Sequence, residues 1–153
     1  MKSQTPARRP LAAVALLALA AAFAAPVFSA GEEVVMYKDP NCGCCGKWAE
    51  HMRGAGFSVK EIHSTEMSVV KRDAGVPQAL GSCHTAKVGG YVVEGHVPAA
   101  DVKRLLSEKP KVVGIAAPGM PMGSPGMEGP YPADRYEVMS FAADGKTRVF
   151  ASH

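Results

Sequence analysis

The chain has 153 residues and a formal net charge of +3. Lys2, Arg8 and Arg9 carry that excess, because residues 31–153 hold 14 basic and 14 acidic side chains and are formally neutral. No basic stripe remains to recruit nucleic acid or an anionic membrane, and residues 31–153 suit one domain, large enough for a core and too short for two.

Residues 1–30 read as a secretory signal peptide. Met1 to Pro10 is basic, Leu11 to Ala25 is an unbroken apolar run, and small residues follow up to Ala30. The run is shorter than the roughly 20 residues a spanning helix prefers, so no membrane association is expected after cleavage. The cleavage point is ambiguous among Ala24, Ser29 and Ala30, each of which has a defect or a competitor. The expected destination is periplasmic. Exposed thiols in an oxidising compartment normally become disulfides. An exported cluster of cysteines must therefore be protected, used for redox chemistry, or filled with metal.

Glu33 to Tyr37 reads as a buried strand, ended by Asp39-Pro40-Asn41. Cys42 to Gly46 reads as a loop. Lys47 to Arg53 reads as a helix, with Trp48 and Met52 on one face and Gly54 and Gly56 at its end. Phe57 to His63 alternates as a half-buried strand does. Thr65 to Ala74 reads as a second helix, capped by Ser64 or Thr65 and stopped by Gly75 and Pro77. Thr85 to Val93 holds one or two strands, turned at Gly89-Gly90. Pro98 to Leu106 reads as a short helix with Val102, Leu105 and Leu106 on one face. Lys111 to Ile115 suits a strand, 117–130 is a Pro/Gly loop carrying Met120, Met122 and Met127, and Tyr136 to Phe141 with Thr147 to Ala151 suits a terminal hairpin. The fold class expected is α/β and thioredoxin-like: a central mixed sheet flanked by helices, with a cysteine loop at the N-terminus of the first helix. Free amides and the partial positive charge there stabilise thiolate.

Four cysteines carry the chemistry. Cys42, Cys44 and Cys45 share one loop, and Cys83 precedes His84. Cys42 and Cys45 have the Cys-x-x-Cys spacing of thiol–disulfide exchange, but pairing them leaves Cys44 over as a competing thiol. With Cys83 the set is soft and sulfur-rich, suited to Cu(I), Zn(II) or an iron–sulfur cluster. The two well-separated ligand pairs usual for zinc are lacking, and iron–sulfur sites prefer other spacings. Met120, Met122 and Met127 favour copper, since thioether binds Cu(I) well and zinc or iron poorly; the competing reading is that they fill gaps under a long loop. His84 is the best histidine for a ligand or a supporting donor, and His96 could face the site. His51 lies two turns beyond Cys44, about 10 Å along the helix, too far to share a metal with the thiols directly. Lys47 could lower a thiol pKa through its charge, or be a solvated lysine at a helix start. His63 and His153 read as ordinary.

The segments Tyr37 to Cys45, Trp48 and His51, Ser82-Cys83-His84-Thr85, Glu94-Gly95-His96-Val97-Pro98, Pro118-Gly119-Met120-Pro121 and Gly123 to Glu128 together resemble the CopG-like copper-resistance proteins. The resemblance runs from about Val34 to Met127. It implies a periplasmic protein of Gram-negative copper resistance with a thioredoxin-like fold over 31–153. The copper ligands it implies are Cys42, Cys44, Cys45 and Cys83, holding Cu(I) as a multinuclear copper–thiolate cluster. Interconversion of Cu(I) and Cu(II), and exchange of copper with other periplasmic copper-handling proteins, are suggested with it. Two other readings stay open: a thiol–disulfide oxidoreductase using Cys42 and Cys45, and a passive copper carrier.

Overall fold

A computed structural model describes residues 31–153; the signal-peptide reading of 1–30 lies outside the described residues. Seven strands form one mixed sheet: β1 (Glu33–Lys38), β2 (Ser58–His63), β3 (His84–Val88), β4 (Tyr91–Glu94), β5 (Gly114–Ala116), β6 (Glu137–Phe141) and β7 (Thr147–Ser152). Among the described residues three α-helices accompany them: α1 (Gly43–Gly54), α2 (Met67–Asp73) and α3 (Ala99–Glu108). The strand order is β2-β1-β3-β4-β5-β6-β7, with β1–β2 and β4–β5 parallel and the other neighbours antiparallel. The α/β class, the mixed sheet and the cysteine loop leading into the first helix are as the sequence suggests. Among the described residues, no helix is long and apolar enough to cross a membrane.

The strands form where alternation and β-branching favour them. In β1, Val34 and Met36 are fully buried and their neighbours are not, so one face packs inward. Trp48 and Met52, one helical turn apart, are fully buried on α1, and Val102 and Leu105 are fully buried on α3. These side chains share one core with Val93, Ile115 and Val138. Each fully buried side chain of this size contributes about 1.5–3 kcal/mol relative to exposure.

Several boundaries differ from the sequence reading, among them that of α2, whose N-cap is Glu66 rather than Ser64 or Thr65 and makes no side-chain capping bond. The first helix starts at Gly43, so Cys44 and Cys45 lie in its first turn and Cys42 is its N-cap. Glycine and cysteine are poor helix formers, but backbone geometry here is set by the preceding turn, where Cys42 N–H donates to the Asp39 carbonyl at 3.0 Å. A short 3-10 turn, Gln78–Leu80, also fills the stretch after α2. The turn at Gly89-Gly90 joins β3 to β4 as expected.

Candidate metal centre

Sheet register brings the distant cysteine to the loop. β1 and β3 pair with Lys38 opposite His84, so the chain leaving β1 and the chain entering β3 run side by side. Cys42 follows one and Cys83 ends the other. In the β3–β4 hairpin Thr85 pairs with Glu94, and two further steps of that register set Cys83 against His96. The contacts follow: Cys45 Sγ and Cys83 Sγ are 3.5 Å apart, Cys42 Sγ and Cys44 Sγ are 3.5 Å apart, and Cys83 Sγ lies 2.9 Å from His96 Nε2 and 3.4 Å from His84 Nδ1. The four sulfur atoms lie within 4.8 Å of one another, and the Cys83, His84 and His96 donors form a second such group.

Cys42 and Cys45 are joined as a disulfide, while Cys44 and Cys83 are free thiols. This is the pairing that leaves Cys44 over. Cys45 is fully buried and the other three are half-buried, so the cluster opens toward solvent on the Cys42–Cys44 side. The α1 N-terminus has no side-chain cap and no acidic residue in its first turn. The partial positive charge of that helix end, in the turn that carries Cys44 and Cys45, is therefore not offset by a carboxylate of the same turn.

Burial first, and then the adjacent Cys44 thiol, push the Cys83 pKa up to about 12. A thiol so raised gives up its proton readily only to a cation that replaces it. Burial, then the neighbouring His96 and the Lys71 charge, hold His84 well below the ordinary histidine value. Burial also lowers His96, against the opposing pull of the Pro125 carbonyl and the Glu128 charge. Both imidazoles are thus neutral near pH 7, with a lone pair free for a donor or a metal. His84 Nε2 is buried without a hydrogen-bond partner. The other ring nitrogen, Nδ1, is the one that faces Cys83, and it is the one placed to serve as a soft-metal donor.

The Pro/Gly loop closes over this group. His96 Nδ1 donates to the Pro125 carbonyl at 2.8 Å, since a carbonyl can only accept. That bond leaves Nε2 as the lone-pair nitrogen facing Cys83. Gly126, at φ +87, lies so close to α1 that a Cβ there would sit 2.7 Å from the Cys44 carbonyl oxygen and 2.8 Å from the Trp48 nitrogen. Met122 N–H donates to Asp134 Oδ2 and Asp134 N–H to the Met122 carbonyl, each at 2.9 Å, which pins the far limb. Met120 is exposed at the rim, and Met122 and Met127 are half-buried.

The other residues singled out by sequence fall elsewhere. His51 Nε2 accepts the Ala99 N–H at 3.1 Å and ties α1 to the start of α3, away from the thiols. Lys47 is exposed. Lys38, which sequence reasoning passed over, is the buried cation behind the loop: its Nζ lies 3.4 Å from Glu61 and 3.8 Å from where a Gly46 Cβ would stand. Its even place in β1 beside Val34 and Met36 was the available signal. His153, read as ordinary, pairs with Asp101 at 2.8 Å. Trp48 is a wall of the site, its ring centroid 4.5 Å from that of His84 and its indole N–H on the Val97 carbonyl at 2.8 Å.

A family model described as "Protein of unknown function, DUF411" matches residues 80–127, the stretch from Cys83 through the Met loop. No curated protein matches the chain. Two solved structures are similar over nearly their whole length. One, "Copper resistance protein copG- Form 2", is 44% identical with a TM-score of 0.77, over 80% of this chain and 98% of that one. The other, "Copper resistance protein copG- Form 1", is 45% identical with a TM-score of 0.75, over 79% and 96%. At that identity and coverage the shared fold is accompanied by shared ancestry, and the chain belongs to the CopG family of copper resistance proteins.

Proposed function

We propose that the protein is exported to the periplasm and there holds Cu(I) on Cys42, Cys44, Cys45 and Cys83 as a multinuclear copper–thiolate cluster. The observation that carries this reading is the placement of four sulfur atoms within 4.8 Å of one another at an uncapped helix N-terminus. Thiolate bridges suit Cu(I), and a set dominated by sulfur favours it over harder cations. The residue facing the loop from the head of β3 is a fourth thiol, Cys83, where exchange chemistry alone would need none.

The disulfide gives the proposal a redox step. Two Cu(II) ions accept one electron each from the Cys42 and Cys45 thiolates, giving two Cu(I) ions and the Cys42–Cys45 disulfide. A dithiol donor then returns two electrons and two protons to the disulfide, and the reopened thiols lose their protons as Cu(I) binds. Copper content and oxidation state of protein purified from the periplasm test the reading. The expected result is copper as Cu(I), at more than one ion per chain. Zinc in its place, or no metal in protein whose thiols are reduced, would refute it.

A thiol–disulfide oxidoreductase is the second reading, and the Cys42–Cys45 disulfide is the observation in its favour. Cys44→Ser separates the two. Exchange needs only Cys42 and Cys45 and would survive that change, whereas copper stoichiometry would fall.

A further inference from the structure

Glu94 is a fully buried carboxylate that the copper reading does not use. An ionised carboxylate is costly to bury unless every acceptor position is met. Three donors meet it. Lys71 Nζ and the Ser82 N–H both donate to Oε1, at 2.5 and 2.7 Å, and the Thr85 hydroxyl donates to Oε2 at 2.6 Å. Lys71 also donates to the Thr85 hydroxyl at 3.2 Å. The donors come from α2, from the strand β3 and from the backbone directly before Cys83.

Position turns this network toward the thiol. Ser82 and Thr85 flank Cys83-His84, so Glu94 grips the chain on both sides of the thiol. Glu94 is followed by Gly95 and His96, and His96 Nε2 is the nitrogen that meets Cys83 Sγ. Ser82 is packed against Gly95, and its hydroxyl donates to the Gly119 carbonyl of the Met loop, whose Gly119 N–H in turn donates to Gly81 at 3.1 Å. Glu94 and Ser82 together thus tie the segments bearing Cys83, His96 and Met120.

We propose that Glu94 is a positioning residue for Cys83, setting the reach of that thiol toward the Cys42–Cys45 loop through the Ser82 N–H and the Thr85 hydroxyl. The proposal deepens the copper reading, because Cys83 must stand at a fixed distance from three other sulfurs to share a metal with them. Its structural claim holds for the metal-free protein as well.

Two variants separate reach from charge. Glu94→Asp keeps the negative charge for Lys71 but withdraws the carboxylate by one methylene from Ser82 and Thr85. Glu94→Gln keeps the reach, with its carbonyl on the Ser82 N–H and its amide on the Thr85 oxygen, and loses the charge. The first readout needs no metal: the rate at which iodoacetamide alkylates Cys83, relative to Cys44, in the oxidised full chain, followed by mass spectrometry. The second is Cu(I) affinity of the reduced chain, by competition with a Cu(I) chelator. Glu94→Asp is expected to raise Cys83 alkylation and to weaken Cu(I) binding, each by about tenfold, as loss of a partner behind a metal ligand typically does. Cys44 alkylation stays unchanged, and Glu94→Gln stays near wild type in both. A folded Glu94→Asp protein with wild-type Cys83 reactivity overturns the proposal, as does Glu94→Gln matching Glu94→Asp. If Glu94→Asp does not fold, Thr85→Val decides. It removes the Oε2 tether, with the weaker Lys71–Thr85 bond, leaves the Lys71 and Ser82 bonds to Oε1, and is expected to raise Cys83 alkylation by about threefold; no change overturns the proposal. Loss of the copper effect with the alkylation effect intact would refute the copper reading and leave the positioning role standing.

Discussion

Cys83 Sγ and His96 Nε2 face each other at 2.9 Å across the open end of the β3–β4 hairpin. The Pro125 carbonyl holds the proton of His96 on Nδ1, so Nε2 presents its lone pair to the thiol. Cys83 therefore has a proton acceptor on one side and the Cys45 sulfur, 3.5 Å away, on the other. Replacing Cys83 by Ser is expected to lower Cu(I) stoichiometry about as much as replacing Cys44 by Ser. Anaerobic titration of both variants checks this, and wild-type copper binding by Cys83→Ser would show that the four-sulfur group is not one site.

The approach of the loop to α1 depends on Gly126. A side chain there meets the Cys44 carbonyl and the Trp48 nitrogen, and its φ of +87 is strained for any L residue. Gly126→Ala is expected to cost about 1–3 kcal/mol and to lower Tm by roughly 5–15 °C. It should also speed Cu(I) loss to a chelator, because the loop over the sulfurs is lifted. Thermal melts and Trp48 fluorescence follow the two effects.

Met120, Met122 and Met127 sit in a loop already ordered by its own backbone bonds, so less ordering entropy remains to be spent on holding them than the Pro/Gly composition implies. Their exposure still places Met120 at the rim rather than under it. Changing all three to Leu conserves most volume, at less than about 1.5 kcal/mol each. A folded protein with near-normal copper stoichiometry and slower Cu(I) entry and release is the expected result, read by stopped-flow transfer to a chelator. Stoichiometry falling as far as in a cysteine variant would make the methionines primary ligands.

Burial lowers the folded-state pKa of His84 and His96 below the ordinary histidine value of 6.5. In the window between the folded values and 6.5 the unfolded chain binds protons that the folded chain does not. The contribution these two groups make to the stability of the metal-free protein is then fully present above pH 6.5 and is lost as pH falls through that window. Urea midpoints between pH 5 and 8 should decline on the acid side, and His84→Gln should flatten the decline. An unchanged slope in that variant would show that His84 contributes nothing to it.

Much of this was legible in the sequence for physical reasons that can be named. Trp48 with Met52, and Val102 with Leu105, announce helices because burial repeats at the helical period. Gly89-Gly90 announces a turn. Cys83 could be grouped with the loop thiols by chemistry, but not by spacing, since only the Lys38–His84 register shows how 38 residues of separation close to 3.5 Å. The early start of α1 was hidden because Gly43, Cys44 and Cys45 carry little helix propensity, and the turn at Asp39 sets the backbone instead. Lys38 was hidden because a buried lysine is rare enough that a strand-end lysine reads as solvated. His51 is a clear instance of a polar residue whose role, capping α3, depends on a helix 48 positions away.

Anaerobic titration of the fully reduced protein with Cu(I), in the presence of competing Zn(II), tests the central claim most directly. A soft site of four sulfurs predicts more than one Cu(I) bound per chain, thiolate-to-copper charge-transfer absorption that grows with each addition, and displacement of any bound zinc. Zn(II) retained against Cu(I), or binding that survives loss of the cysteines, would contradict it.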